Sequence, residues 1–229
     1  MAAAENLLIE ALPRDERLRL RSACERVELA MAEVLCEPDR PAQHVYFPIG
    51  AFISMLAVPD DNPGLEVAMV GREGMLGAQV ALGVPKPGFR AQVQGPGPAW
   101  RIGARAFSAE LASNPELQRS VHRYIHVLIV QLASAAACQR FHMIHQRLAR
   151  WLLMCQDRAP ADHFPVTHES LAGLLGVRRV GITHAAGSLQ RLGLIAYRRG
   201  DIKVLDRDGL LAAACGCYAA DRRAYQALF

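Results

Sequence analysis

An apolar pattern of helical period between Thr167 and Leu192, interrupted at Gly176, constrains the fold of this chain more than any other feature. Thr167 is predicted to cap a first helix, with Glu169 in the first turn, where the helix dipole favours negative charge. Gly176 ends that helix, because glycine takes the left-handed conformation that a tight turn between crossed helices needs. The predicted inward-facing residues are Leu171, Leu174 and Leu175 in the first helix, and Ile182, Ala185 or Ala186, Leu189 and Leu192 in the second. This pattern predicts a helix-turn-helix.

The other face of the second helix is basic and polar. It carries Arg178, Arg179, Thr183, His184 and Arg191. The N-terminal residues of such a helix reach base edges when the helix lies in the major groove, and an arginine there can donate two hydrogen bonds to guanine O6 and N7. The pattern therefore predicts binding to double-stranded DNA.

Residues 195–205 follow with alternating polarity, which predicts a two-stranded wing. We place its turn at Gly200-Asp201. Arg198 and Arg199 then lie beside a phosphate strand of the duplex.

The distribution of charge supports the same interpretation. Residues 1–140 carry 14 Lys+Arg against 15 Asp+Glu, whereas residues 141–229 carry 12 against 7. Five arginines and no acidic residue lie between Arg178 and Arg199. A basic focus of this kind is the electrostatic footprint of a nucleic-acid interface.

The composition indicates two soluble domains in the cytoplasm. The chain has 229 residues, which exceeds the usual size of one domain, and 52% of them are hydrophobic. Its N-terminus has no basic segment before an apolar run, and no stretch of about 18 apolar residues follows, so no membrane partner is expected. The six cysteines are scattered, and we expect reduced thiols.

The first half of the chain predicts a helix followed by many short strands. An amphipathic helix is expected over about Leu7–Cys24, interrupted by Pro13. The predicted strands are Val45–Phe47, Ala51–Val58, Leu65–Val70, Ala91–Val93 and Ala99–Ile102. Strands this short and this closely spaced indicate a β-roll or jelly roll, and hence an α+β fold.

A long helix is predicted from Pro115, after Asn114 as N-cap, to about Gln139. It carries two apolar stripes, Leu117, Val121, Tyr124, Leu128 and Ala135 on one, and Ile125, Ile129, Leu132 and Ala136 on the other. A surface helix needs one stripe, so the second indicates a homodimer through residues 115–139. The alternative is a helix buried on both sides within one chain. A hinge at 139–143 and a helix over Ile144–Gln156 follow.

This order of elements resembles the Crp/Fnr family of bacterial transcription regulators. The likeness is strongest in HVYFPIGAFISML, GREGMLG, QRLARWLL, LAGLLGVRRVGITHAAGSLQRLGLI and YRRGDIKVLDRDGL. The resemblance implies a cyclic-nucleotide-binding-like β-roll (residues 1–112), a dimerisation helix and hinge (113–141) and a winged helix-turn-helix (142–229). It also implies a homodimer on a palindromic operator, with RNA polymerase as a candidate further partner.

The resemblance also assigns roles to individual residues. The base-reading positions fall on Arg179, Val180 and His184, and the backbone-contacting positions on Thr167, His168 and Arg178. Val180 departs from the acidic residue common in the cyclic-AMP receptor branch. An apolar side chain cannot accept a hydrogen bond from cytosine N4, and it favours contact with a thymine methyl group.

At the positions where the family binds its effector, this chain differs further from the family pattern. The candidates are Gly77, Ala78, Phe89, Arg90 and Ala91. Where cyclic-nucleotide binders have a glutamate and an arginine, this chain has Ala78 and Phe89, and Arg90 is one strand position out of register. We therefore expect no cofactor and argue against cyclic AMP. Cys24 and Cys36 alone do not supply the N-terminal cysteine cluster of the iron-sulfur branch.

Two other constellations are weaker. Cys215 and Cys217 could hold a metal or form a redox switch with Cys138 or Cys155, but a lone C-x-C pair favours ordinary thiols. His122 and His126 share a helical face, which is more typical of a polar helix edge. We therefore expect no metal site, and, since no phosphate loop or nucleophile motif is present, no enzyme. The alternative function is a metal- or redox-responsive sensor acting mainly through protein contacts.

Overall fold

The N-terminal half of the chain forms two antiparallel sheets, and a long helix leads from them to a helical C-terminal part. The computed structural model describes residues 5–59, 64–159 and 162–229. The helices are α1 Leu7–Glu10, α2 Arg14–Ser22, α3 Ala104–Ser113, α4 Pro115–Phe141, α5 Ile144–Arg158, α6 His168–Leu174, α7 Arg179–Arg191, α8 Arg207–Ala213 and α9 Cys217–Gln226. The strands are β1 Glu25–Leu29, β2 Val34–Cys36, β3 His44–Pro48, β4 Phe52–Ala57, β5 Leu65–Val70, β6 Arg90–Gly95, β7 Gly97–Gly103, β8 His163–Pro165, β9 Ile195–Arg198 and β10 Asp201–Val204.

The two N-terminal sheets have the strand orders β1-β7-β3 and β2-β6-β4-β5. All five predicted strands are present, and Pro13 separates α1 from α2 as the predicted interruption of the first helix. The prediction missed β1, β2 and α3. The α+β class with an N-terminal β-roll is confirmed.

Helix α4 begins where the sequence predicts, since the Asn114 side chain accepts a hydrogen bond from the Leu117 amide at 2.9 Å. The first stripe is buried: Leu117, Val121, Tyr124, Leu128 and Ala135. Of the second stripe, Ile125 is half-buried, whereas Ile129 is 58% exposed and Leu132 is 39% exposed. Among the described residues, therefore, nothing covers the stripe at Ile129 and Leu132, and the alternative of a helix buried on both sides is not what the structure shows.

Length and composition alone would allow α4 to cross a membrane. Its Val121 and Tyr124 are, however, packed into the same hydrophobic cluster as the β-roll residues Phe47 and Ile102. One face of α4 is therefore packed against the β-roll.

The C-terminal part contains both predicted helices of the helix-turn-helix, α6 and α7, and the predicted wing, β9 and β10. Two details were wrong. Leu192 is 69% exposed, because α7 ends at Arg191 and Leu192 is its C-cap. The wing turn lies at Arg199-Gly200 and not at Gly200-Asp201, since Arg198 pairs with Asp201. The strand β8, which pairs with β10, and helices α8 and α9 were not predicted.

The two parts of the chain are packed together. Phe52, Leu56 and Met69 of the β-roll belong to the hydrophobic cluster of the helix-turn-helix part, where they lie with Trp151 of α5. At the other end of the fold, α9 returns to α4, and Arg123 donates a hydrogen bond to the Ala227 carbonyl at 2.9 Å.

Candidate nucleic-acid interface

The turn between α6 and α7 depends on Gly176. Its φ of +59° lies in the left-handed region that side chains disfavour. A Cβ atom at this position would also approach Leu65 Cδ1 to 2.7 Å. At the start of α6, Thr167 Oγ1 accepts a hydrogen bond from the Ser170 amide at 3.0 Å, as predicted for the N-cap. These contacts fix the angle at which α7 leaves the turn.

Helix α7 has one buried face and one exposed face, as predicted. Ile182 and Leu189 are buried with the two alanines between them. The exposed side carries every residue that the sequence assigned to DNA on this helix: Arg178, Arg179, Val180, Thr183 and His184. Val180 is 64% exposed, although it is apolar. The side chains at the N-terminal end of α7 are therefore exposed, and Arg178 and Arg179 line a cleft that β-roll residues such as Gln92 also line.

Arg179 is not sequestered by the protein's own acidic groups. Its nearest ion-pair partner is Glu169, with 4.0 Å between Nε and Oε2. Both side chains remain in solvent, Arg179 at 71% exposure and Glu169 at 80%. An exposed pair at this distance contributes little free energy, so the guanidinium is available to a ligand.

His168 differs from the other candidates because its contacts are internal. Its ring stacks on Tyr197 of the wing at a centroid distance of 4.3 Å, and Nδ1 lies 3.1 Å from Thr183 Oγ1 of α7. Its Nε2 is buried without a partner among the described residues. Burial, with a smaller contribution from Arg179, lowers the pKa of His168. The ring thus joins α6, α7 and the wing, and Tyr197 is a residue that sequence reasoning missed.

The wing presents its arginines at a tight two-residue turn. Arg199 and Gly200 have φ values of +53° and +81°, the geometry of a type I′ turn. Arg198 and Arg199 are exposed. Arg199 lines a hollow together with Thr167, His168, Tyr197, Arg179 and the acidic Glu169. The structure therefore brings the wing and the start of α7 to one concave surface, which we call the basic hollow.

The effector candidates lie in the β-roll, away from the basic hollow. Gly77 is left-handed at φ +99° and precedes a 3-10 helix over Ala78–Leu82. Ala91 is buried in β6 and Phe89 is half-buried against the core. Arg90 faces the other side of β6 and pairs with Glu37, with 3.0 Å between Nε and Oε2. Its charge is thus already partnered by a carboxylate.

The C-terminal part matches a known family. Residues 146–213 match the Crp-like helix-turn-helix domain. The match spans most of α5 and all of α6, α7, the wing and α8, so the exposed arginines of the basic hollow all lie in the matched segment.

Solved structures match the chain over most of its length. A putative transcriptional regulator of the Crp/Fnr family from Eubacterium rectale is 14% identical, with a TM-score of 0.70, over 90% of this chain and 96% of that one. FixK2 from Bradyrhizobium japonicum is 14% identical, with a TM-score of 0.69, over 84% and 98%. A Crp/Fnr transcriptional regulator from Thermus thermophilus is 21% identical, with a TM-score of 0.68, over 83% and 98%. No curated protein matches by sequence.

These comparisons bear on the sequence predictions. At such identities the structural likeness establishes the fold, and the domain match adds the Crp-like DNA-binding part. The predicted Crp/Fnr resemblance is confirmed, for residues 146–213 by the domain match and for most of the chain by the fold. Two of the three solved structures above are of Crp/Fnr transcriptional regulators, which is consistent with the prediction that the chain is not an enzyme. The alternative of a sensor acting mainly through protein contacts is not favoured.

Proposed function

We propose that the chain regulates transcription as a homodimer that binds a pseudo-palindromic operator in double-stranded DNA. The observation that carries this proposal is the basic hollow, in which Arg179 of α7 and Arg199 of the wing lie on one exposed surface. A recognition helix flanked by a basic wing suits a duplex, because the helix fills the major groove while the wing follows the phosphate strand.

Within this proposal the residues divide into three roles. Arg179, Val180 and His184 read base edges, since they lie on the exposed side at or near the start of α7. Arg178, Thr183, Arg198 and Arg199 contact phosphates. Thr167 and His168 mainly hold the DNA-binding elements in place, because the Thr167 hydroxyl caps α6 and the His168 ring contacts Tyr197 and Thr183.

The dimer is proposed to form through the uncovered stripe of α4. Ile129 and Leu132 are large apolar side chains that stay exposed in one chain, and Ala136 continues the same stripe one turn later. Pairing this stripe with its copy buries it and places two Crp-like domains about a two-fold axis. The proposed domain limits are those predicted from the sequence, 1–112, 113–141 and 142–229, and the break between α4 and α5 supports the second limit.

The effector stays unassigned within this proposal. The ion pair between Arg90 and Glu37 supports the argument against cyclic AMP, because a phosphate would have to displace the Glu37 carboxylate. RNA polymerase remains a candidate partner, and the cytoplasm is the proposed location.

The test is selection of bound sequences from a random DNA pool by the full-length chain. The proposal predicts one motif with two-fold symmetry and half-site centres about 34 to 36 Å apart, which is one turn of the duplex. Salt-sensitive retention of the pool without any enriched motif would overturn the sequence-specific part. Enrichment of a single unsymmetrical half-site would overturn the dimer.

A further inference from the structure

Four potential metal ligands meet where α4 ends and α9 begins. Cys138 lies in the last turn of α4 and His142 is the C-cap of the same helix, whereas Cys215 precedes α9 and Cys217 is its first residue. One ligand atom from each residue lies within 4.8 Å of all the others. The sequence interpretation treated Cys215 and Cys217 as ordinary thiols, because it could not place α9 against α4.

The distances suit a single ion. Cys138 Sγ and Cys215 Sγ are 3.5 Å apart, and Cys217 Sγ is 3.6 Å from His142 Nδ1. Zinc bonds of about 2.3 Å to sulfur and about 2.0 Å to nitrogen give a tetrahedron with edges of about 3.4 to 3.8 Å. An iron-sulfur cluster has several irons and bridging sulfides between its thiolates, and it needs more room than these four atoms enclose.

The packing of α9 against α4 produces this arrangement. Cys138 and His142 are four residues apart, so they lie on the same side of α4. The face of α4 that carries Cys138 is the one against which α9 packs, and the Cys138 and Cys215 side chains are buried there. Cys217 and His142 are half-buried at the edge, which leaves a route for an ion to enter.

One positive charge acts on the cluster. Arg150 acts electrostatically on Cys138, Cys215 and Cys217, and it also holds Asp221 of α9 with 2.6 Å between Nη2 and Oδ2. The Cys138 and Cys215 sulfur atoms are within hydrogen-bond distance of each other. A divalent ion with three thiolates and a neutral imidazole carries one net negative charge, which a nearby guanidinium stabilises.

We propose that Cys138, His142, Cys215 and Cys217 bind one zinc ion, which ties the end of the long helix α4 to the C-terminal helix α9. Three thiolates and one imidazole are a donor set of structural zinc sites, and soft sulfur ligands select zinc over magnesium or calcium. Binding releases the proton of each cysteine thiol that becomes a thiolate ligand. Because residues 142–143 separate α4 from α5, the ion also holds together two elements on either side of the hinge.

The test loads the full-length chain with zinc under reducing conditions, removes excess ion by dialysis and counts zinc per folded chain by mass spectrometry. One zinc per chain is expected. Competition with a chromogenic chelator should show that Cys217→Ser weakens zinc binding by more than about 100-fold. Changing a residue that only contacts a metal ligand weakens binding by at most about that factor. The matched control is Cys36→Ser, which removes a half-buried thiol of the β-roll and should bind zinc as the parent chain does.

Two further measurements do not depend on the variants' affinities. Cobalt(II) in place of zinc should give the intense visible bands of tetrahedral thiolate coordination in the parent chain and in Cys36→Ser, but not in Cys217→Ser. Zinc should raise the thermal midpoint of the same two proteins, because a ligand of the folded state stabilises it.

The proposal is overturned if the folded parent chain retains no zinc, if Cys217→Ser binds zinc as tightly as Cys36→Ser, or if Cys138 and Cys215 form a disulfide that persists under reducing conditions. None of these measurements uses DNA. The zinc site and the regulator function therefore stand or fall separately.

Discussion

Arg158 of α5 and Glu73 of the β-roll form a buried ion pair, with 2.5 Å between Nη2 and Oε1, that joins the two parts of the chain. Only 5% of the Arg158 side chain and 13% of the Glu73 side chain are exposed. Burial acts to lower the pKa of Arg158, but Glu73 together with Tyr225 and Asp157 outweighs it and holds the pKa above its ordinary value. Glu73 is the carboxylate that forms the ion pair with this guanidinium, which also donates hydrogen bonds to the Met154 and Met69 carbonyls.

Glu73→Ala should therefore destabilise the chain strongly. Removing one partner of a buried pair leaves an unpaired charge, which costs about 3 to 5 kcal/mol. The measurement is urea unfolding followed by tryptophan fluorescence, since Trp151 of α5 is buried near this contact. The control is Glu110→Ala, which breaks the exposed pair with Arg19 and should cost at most about 1 kcal/mol. Equal losses for the two variants would contradict the role given to Glu73.

The His168 ring should make the stability of the DNA-binding part depend on pH. Its pKa is lowered in the folded chain, so the unfolded chain, with a histidine pKa of about 6.5, binds more protons in the window just below that value. The stabilising effect of the neutral ring is present above about pH 6.5 and is lost as the pH falls through the folded pKa.

The measurement compares urea unfolding of the parent chain and His168→Phe at about pH 7.5 and about pH 5.5. Phenylalanine keeps the stack on Tyr197 but cannot titrate, so the variant should lose less stability on acidification than the parent. The control is His126→Phe, at an exposed position of α4, which should keep the parent's pH dependence. A pH dependence unchanged in His168→Phe would show that this ring does not titrate as described.

Ile129→Asp should convert the proposed dimer to a monomer. An aspartate in the uncovered stripe of α4 places two like charges, one from each chain, in an apolar seam. Ala137→Asp is the control, since Ala137 is exposed on α4 and lies about 100° around the helix from the stripe residue Ala136. Light scattering during gel filtration should give the mass of two chains for the control and of one chain for Ile129→Asp. A parent chain that is monomeric at every concentration would contradict the proposed dimer.

Local periodicity explains which parts of the fold could be predicted. The helix-turn-helix was predictable because Ile182 and Leu189 repeat at helical spacing and Gly176 marks the turn, both of which are properties of a short segment. Strands β1 and β2 lack a regular alternation of buried and exposed residues, so sequence pattern could not find them. Leu192 fits the apolar repeat but falls just after the helix ends, where it turns to solvent.

Contacts between distant residues explain what could not be predicted. His168 stacks on Tyr197, 29 positions away, and nothing in either local segment indicates the partner. The Cys138–Cys215 contact spans 77 positions. The four-residue spacing of Cys138 and His142 was a usable signal, but it gains meaning only when α9 is known to pack on α4.

The most direct test of the account is the binding of selected operator DNA by Arg179→Ala and Arg199→Ala, measured by fluorescence anisotropy over a range of salt concentrations. Arg105→Ala, an exposed arginine of α3, is the control. The account predicts that Arg179→Ala costs about 1 to 3 kcal/mol and relaxes preference at one base pair per half-site. Arg199→Ala should weaken binding to all sequences alike and reduce the salt slope by about one per lost phosphate contact. Equal losses on every sequence for both variants, or no loss beyond that of Arg105→Ala, would contradict the assignment of the basic hollow to DNA.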